Sequence, residues 1–84
     1  EVADASGLKV VSIENGKVDL LVDTKNEEVY TVSLFSMDGK ELSTLSSKGS
    51  KFLRFGDFTP LPKGVYLIVM NGTNGKQQVK INVQ

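Results

Sequence analysis

LPKGVYLIVMNGTNGKQQVKINVQ, residues 61–84, holds the pattern on which the fold turns. GVYLIVM (64–70) is apolar on both faces, as in a central strand covered on each side. The Gly- and Asn-rich stretch that follows is turn chemistry. In QVKINVQ (78–84), Val79, Ile81 and Val83 point one way and Lys80, Asn82 and Gln84 the other, the mark of a half-exposed strand. Chain ends fray unless something ties them down. A strand patterned up to Gln84 therefore either only completes a sheet or is itself read by a partner.

Upstream, nearly every segment has the same period of two. LKVVSI (8–13) and VDLLVD (18–23) flank Glu14-Asn15-Gly16-Lys17, and Asn-Gly is the strongest short hairpin signal. After the polar turn at residues 24–28 comes VYTVSLFS (29–36), with Tyr30, Val32 and Leu34 on one face. Met37-Asp38-Gly39-Lys40 is a second hairpin turn, leading into ELSTL (41–45). SSKGS (46–50) reads as a flexible link, KFLRF (51–55) as another alternating strand, and residues 56–63 as a longer loop with both prolines. Seven short strands at intervals of about 10–12 residues, with no helical apolar stripe, predict an all-β, immunoglobulin-like antiparallel sandwich. Residues 1–7, EVADASG, read as the remains of a linker, so the expected domain is 8–84.

An 84-residue chain is one domain, burying roughly 60–65% of its unfolded surface, with an expected stability of about 4–8 kcal/mol. With no cysteine there is neither a disulfide framework nor a thiolate metal site. No apolar run reaches the roughly 18 residues that span a bilayer, and the first residues do not form a signal peptide, so an exported domain would owe its signal to a larger precursor. Ten basic and ten acidic residues balance. Residues 1–47 nevertheless hold four lysines and nine acids, net −5, while residues 48–84 hold six basic residues and only Asp57, net +5. Either the halves offset each other within one sandwich, or the basic half faces an acidic partner.

The absence of His, Cys and Trp excludes His-based triads, zinc sites of the usual ligands and thiol catalysis. Ser46, Ser47, Lys48 and Ser50 could formally offer a Ser–Lys dyad, but a Gly-flanked serine linker holds a nucleophile poorly. Asp23, Glu27 and Glu28 are the one dense acidic cluster, at a spacing that matches no EF-hand. Lys51, Phe52, Arg54, Phe55 and Phe58 interleave base and aromatic, yet any core-facing strand shows as much, so nucleic acid is not an expected partner. Asn71-Gly72-Thr73 fits the glycosylation acceptor pattern and reads more simply as a turn. The expectation is a non-enzyme with neither cofactor nor metal.

Three stretches, taken in order, resemble a known family. VSLFSMDGKEL (32–42) places an aspartate–glycine–basic turn between two strands; LPKGVYLIVM (61–70) leads through leucine–proline–x–glycine–x–tyrosine into an apolar strand; KQQVKINVQ (76–84) is a lysine-bearing final strand. Together they are similar to the C-terminal sorting domains of the type IX secretion system, carried by gingipain-like proteases and other surface proteins of Bacteroidetes. The resemblance covers about residues 29–84. It implies a domain that directs an N-terminal cargo through the periplasm and the outer-membrane translocon to the cell surface or medium, commonly followed by removal by a sortase-like peptidase. The positions it marks for recognition are Asp38, Gly39, Lys40, Leu61, Pro62, Gly64, Val65, Tyr66, Lys80, Ile81 and Val83. It also implies that the last strand is ordered because a receptor inspects it. The first strands lack the proline–asparagine–proline stretch common near the start of many members, and the chain ends in Gln84 where several relatives have a basic residue.

Structural reasons for the same residues stand beside the resemblance. Gly39 suits a turn needing positive φ, Asp38 can bond to its own turn, Pro62 precedes the strand where no ladder N–H is required, and Tyr66 can bury its ring with its hydroxyl at the rim. A different reading is an accessory or carbohydrate-binding module of a secreted enzyme, with Tyr30 or Tyr66 as the sugar contact; the six Phe and Tyr, expected mostly on core-facing positions, make that thin. Pairing of the last strand with a second copy along an exposed edge would give a homodimer.

Overall fold

A computed structural model describes residues 7–24, 27–73 and 75–84. Every regular element among them is a strand: β1 (Leu8–Glu14), β2 (Lys17–Val22), β3 (Val29–Ser36), β4 (Glu41–Lys48), β5 (Lys51–Phe55), β6 (Gly64–Gly72) and β7 (Gly75–Val83). All pairings are antiparallel, in a three-stranded sheet ordered β1-β2-β5 and a four-stranded sheet ordered β4-β3-β6-β7. The expected immunoglobulin-like sandwich is the fold. Residues 1–6 of the proposed linker lie outside the described residues; Gly7 is placed, its carbonyl accepting the Asp23 N–H at 2.9 Å.

The inward faces supply one core. Val18, Leu20, Val22 and Phe55 from the smaller sheet meet Tyr30, Val32, Leu34, Ile68, Val79 and Ile81 from the larger. In β1, a bulge between Val10 and Ser12 throws Val11 outward, so Leu8, Val10 and Ile13 all reach the core although the last has the opposite parity. The Asn15-Gly16 turn is the two-residue hairpin its sequence predicts, with Glu14 opposite Lys17 and positive φ at both central residues.

Three expectations are corrected. SSKGS is not a flexible link: β4 runs on to Lys48, with Ser46 and Ser47 opposite Thr31 and Tyr30, because β3 supplies a ladder that local composition does not announce. The chain leaves for the other sheet only at Gly49-Ser50, and this corner is tied by the Tyr30 hydroxyl donating to the Gly49 carbonyl at 2.7 Å and by the Gly49 N–H on the Glu28 carbonyl at 2.9 Å. The β6–β7 hairpin is longer than its apolar run, since the ladder continues to Gly72 opposite Gly75. Third, β6 is central in its sheet but covered on one side only: among the described residues no third layer lies over Val65, Leu67 and Val69.

Charge pairing across the two halves is partial. Arg54 bonds Asp19 through Nε at 2.6 Å and Nη2 at 3.2 Å and lies 3.6 Å from Asp57, while Lys48 stands 3.9 Å from Glu27. Ser12 adds a hydroxyl to Asp19, and these bonds, the guanidinium's first, hold the Asp19 carboxyl below its ordinary range.

Candidate functional site

The residues singled out in sequence come from three separated segments, and strand register brings them to one end of the four-stranded sheet. Tyr66 of β6 is the cross-strand partner of Ser36 on one side and Ile81 on the other; Gly64 lies opposite Val83. The turn after Ser36, the lead-in before Gly64 and the end of β7 therefore share one edge of the molecule. Gly7 sits at the opposite end, beside the Gln77 side chain near the start of β7.

The Asp38 turn is self-contained. Its carboxylate accepts the Ser36 hydroxyl and, at 3.4 Å, the Lys40 N–H; the Gly39 N–H donates to the Ser36 carbonyl at 3.0 Å. The Ser36 hydroxyl first and the Lys40 N–H second hold the Asp38 carboxyl below its usual range. Gly39 has φ 91°, the left-handed region that a turn of this shape requires. Lys40 extends into solvent.

The lead-in is anchored at two points. The Leu61 N–H donates to the Gly16 carbonyl at 2.8 Å, with the Leu61 side chain packed against the core. The Tyr66 hydroxyl donates to the Pro62 carbonyl at 2.6 Å, closing the four-residue approach onto the strand. Tyr66 is 7% exposed, its ring within the core. Ile81 and Val83 also face the core, whereas Lys80 projects from the outer face.

The eleven positions thus divide. Asp38, Gly39, Lys40, Pro62, Val65 and Lys80 are exposed; Leu61 and Gly64 are half-buried; Tyr66, Ile81 and Val83 are buried.

A family model described as the secretion system C-terminal sorting domain matches residues 14–84. The chain belongs to that family. It carries a type IX secretion C-terminal sorting signal, which implies export toward the cell surface or secretion, and as a sorting domain it is not itself catalytic. The match begins within the first hairpin, fifteen residues upstream of the segment in which the resemblance was legible. No curated protein and no solved structure gives a significant match.

Among the described residues the other candidate chemistries do not assemble. Asp23 is engaged by the Ser50 hydroxyl at 3.1 Å, Glu27 by Lys48 and Glu28 by the Thr73 hydroxyl at 3.0 Å, so the acidic cluster is dispersed among three tethers. Lys48 and Ser50 are both committed to those carboxylates rather than to each other. Tyr30 and Tyr66, the sugar contacts of the alternative reading, are buried and bonded to backbone carbonyls. The aromatics are less core-facing than expected: Phe52 is 74% exposed, Phe58 stands free in its loop and Phe35 is half-buried. Phe35 and Phe52 lie on the outer faces of different sheets, so they do not form a shared platform with each other.

One feature of the sorting domain escaped the sequence. On the outer face of the larger sheet Phe35, Met37, Leu67 and Val69 line a furrow of about 370 Å³, with Lys76 and Gln78 along one side. Its signal was present in the apolar Val65, Leu67 and Val69, which were read as covered.

Proposed function

We propose that the sorting domain is an address read at the outer membrane by the type IX translocon, which carries an N-terminally attached cargo out of the periplasm, after which a sortase-like peptidase removes the domain at the cell surface. The cargo joins through residues 1–7, leaving 8–84 as the folded address. The observation that carries this reading is the meeting of the Asp38–Lys40 turn, the Leu61–Tyr66 lead-in and the end of β7 at the end of the sandwich remote from Gly7. A cargo attached at Gly7 leaves that end unobstructed. Asp38, Gly39, Lys40, Pro62, Val65 and Lys80 are then the groups a receptor touches, Leu61 and Gly64 shape the approach, and Tyr66, Ile81 and Val83 act by holding the others in place.

The test is a reporter bearing a signal peptide and this domain, expressed in a host with the translocon. The full domain takes the reporter to the surface, and removal from Val79 onward traps it in the periplasm. Because that truncation also deletes core residues, a second variant, Lys40→Glu with Pro62→Ser, alters only exposed positions and is expected to reduce export while melting like the parent. Equal export of full-length and truncated reporters overturns the proposal.

A further inference from the structure

The furrow on the larger sheet is an uncovered apolar strip on a domain whose remaining apolar side chains mostly point inward. Val69 at its floor is only 5% exposed, shielded by its neighbours, while Val65 beyond it is 37% exposed. At about 370 Å³ it is the size of a small ligand pocket, room for one or two side chains of a partner. It opens beside the Asp38–Gly39 turn, with Gly39 in its lining.

Its charge is one-sided. β7 sets Lys80 opposite Leu67 and Lys76 opposite Asn71, both on the outer face. Neither lysine has an ion-pair partner among the described residues, and no Asp or Glu follows Asp57 in the chain. Of the carboxylates on the described residues, Asp19, Asp57 and Glu27 already lie against Arg54 or Lys48, and Asp23, Asp38 and Glu28 accept hydroxyls. A second copy would therefore have Glu14 and Glu41, on different sheets, as its exposed carboxylates without such a bond. A flat anionic lipid surface would meet the lysines but leave a concave apolar floor unfilled.

From this furrow and its lysine rim we infer the face by which the sorting domain docks: the outer face of β3, β6 and β7 takes a protein segment that places an apolar side chain over Phe35, Leu67 and Val69 and carboxylates against Lys76 and Lys80. The inference rests on the sorting function and names the surface and the partner chemistry that function uses. Opposite charges along such a rim speed encounter and fix register, while the apolar anchor supplies residence time.

The experiment measures binding of the domain to detergent-solubilised type IX translocon by biolayer interferometry at low and high salt, alongside export of the reporter. Lys76→Glu with Lys80→Glu reverses the rim; Met37→Asp and Leu67→Asp place charge in the furrow, Met37 being exposed enough that its variant stays folded by circular dichroism. Lys9→Glu with Lys17→Glu, on the outer face of the other sheet, makes the same change in net charge. The expected result is binding about tenfold or more weaker for the rim and furrow variants, with the control within about twofold of the parent, and with parent and control but not the rim variant losing affinity steeply with salt. Parent-like binding by the furrow and rim variants overturns the inference and leaves the sorting function standing. Equal loss in the control also overturns it, by reducing the effect to net charge. Lysine-dependent binding to anionic phospholipid vesicles without translocon assigns the face to membrane, and a dimer in sedimentation abolished by Met37→Asp assigns it to a second copy; either overturns it. A parent domain that neither binds nor exports removes the sorting function itself.

Discussion

The two buried tyrosines make the same kind of bond in different surroundings, and replacing each by phenylalanine separates the surroundings from the bond. Tyr30→Phe removes a donor from the Gly49 carbonyl, held at 2.7 Å in a buried corner. Tyr66→Phe removes one from the Pro62 carbonyl at 2.6 Å, where Pro62 is exposed and water can take over. A neutral hydrogen bond contributes a net of about 1 kcal/mol, whereas removing the donor to an acceptor that stays fully buried and dry costs toward the upper end of about 1–3 kcal/mol. Tyr30→Phe is thus expected to cost about 2–3 kcal/mol and Tyr66→Phe about 0.5–1 kcal/mol. For a domain this size the entropy of unfolding makes 1 kcal/mol equal to about 6 °C in Tm. Thermal unfolding followed by far-UV circular dichroism should show losses of about 12–18 °C and about 3–6 °C respectively. The reporter assay adds a second axis: Tyr66→Phe should still be exported, because its hydroxyl holds the lead-in rather than touching a partner. Equal or reversed losses refute the assignment of dry and wet carbonyls, and a Tyr66→Phe domain that melts normally yet fails to export refutes the holding role.

Two glycines with similar backbones should respond very differently. Gly39 (φ 91°) has open space where a Cβ would go, so Gly39→Ala carries only the left-handed strain of about 1–2 kcal/mol. Gly56 (φ 88°) would drive its Cβ into the Gly16 carbonyl oxygen, and Gly56→Ala should leave little folded protein; similar urea midpoints would contradict this. The Asp19 carboxyl, held low by Arg54 and Ser12, stabilises the fold above the unfolded carboxylate pKa and ceases to do so as pH falls through its folded value. The Tm gap between parent and Asp19→Asn should be constant above about pH 5 and close in acid; a gap undiminished at the acid end would exclude the ion pair as its source.

The period of two in VYTVSLFS and QVKINVQ and the Asn15-Gly16 and Asp38-Gly39 turns were legible because they are local: backbone geometry alternates side chains, and short turns demand particular φ values. The family resemblance was legible for the same reason, since its motifs are short segments that keep their order. Alternation, however, states which residues share a face and not what covers it. Leu67 and Val69 look like core until the number of layers is known, and Phe52 looks like core until β5 is seen to turn it outward.

What the chain determined by itself was an all-strand body with two pinned turns and a C-terminal segment patterned as a half-exposed ribbon. Tertiary structure decided that Ser46–Lys48 pairs as strand, that β1 slips by one residue at Val11, that Tyr66, Ile81 and Val83 are interior, and that a furrow edged by Lys76, with Lys80 on the same outer face, stays open. Each of these depends on contacts between residues far apart in sequence, whose energy is realised only when two sheets close on one core. A side chain's neighbours along the chain carry no record of that closure.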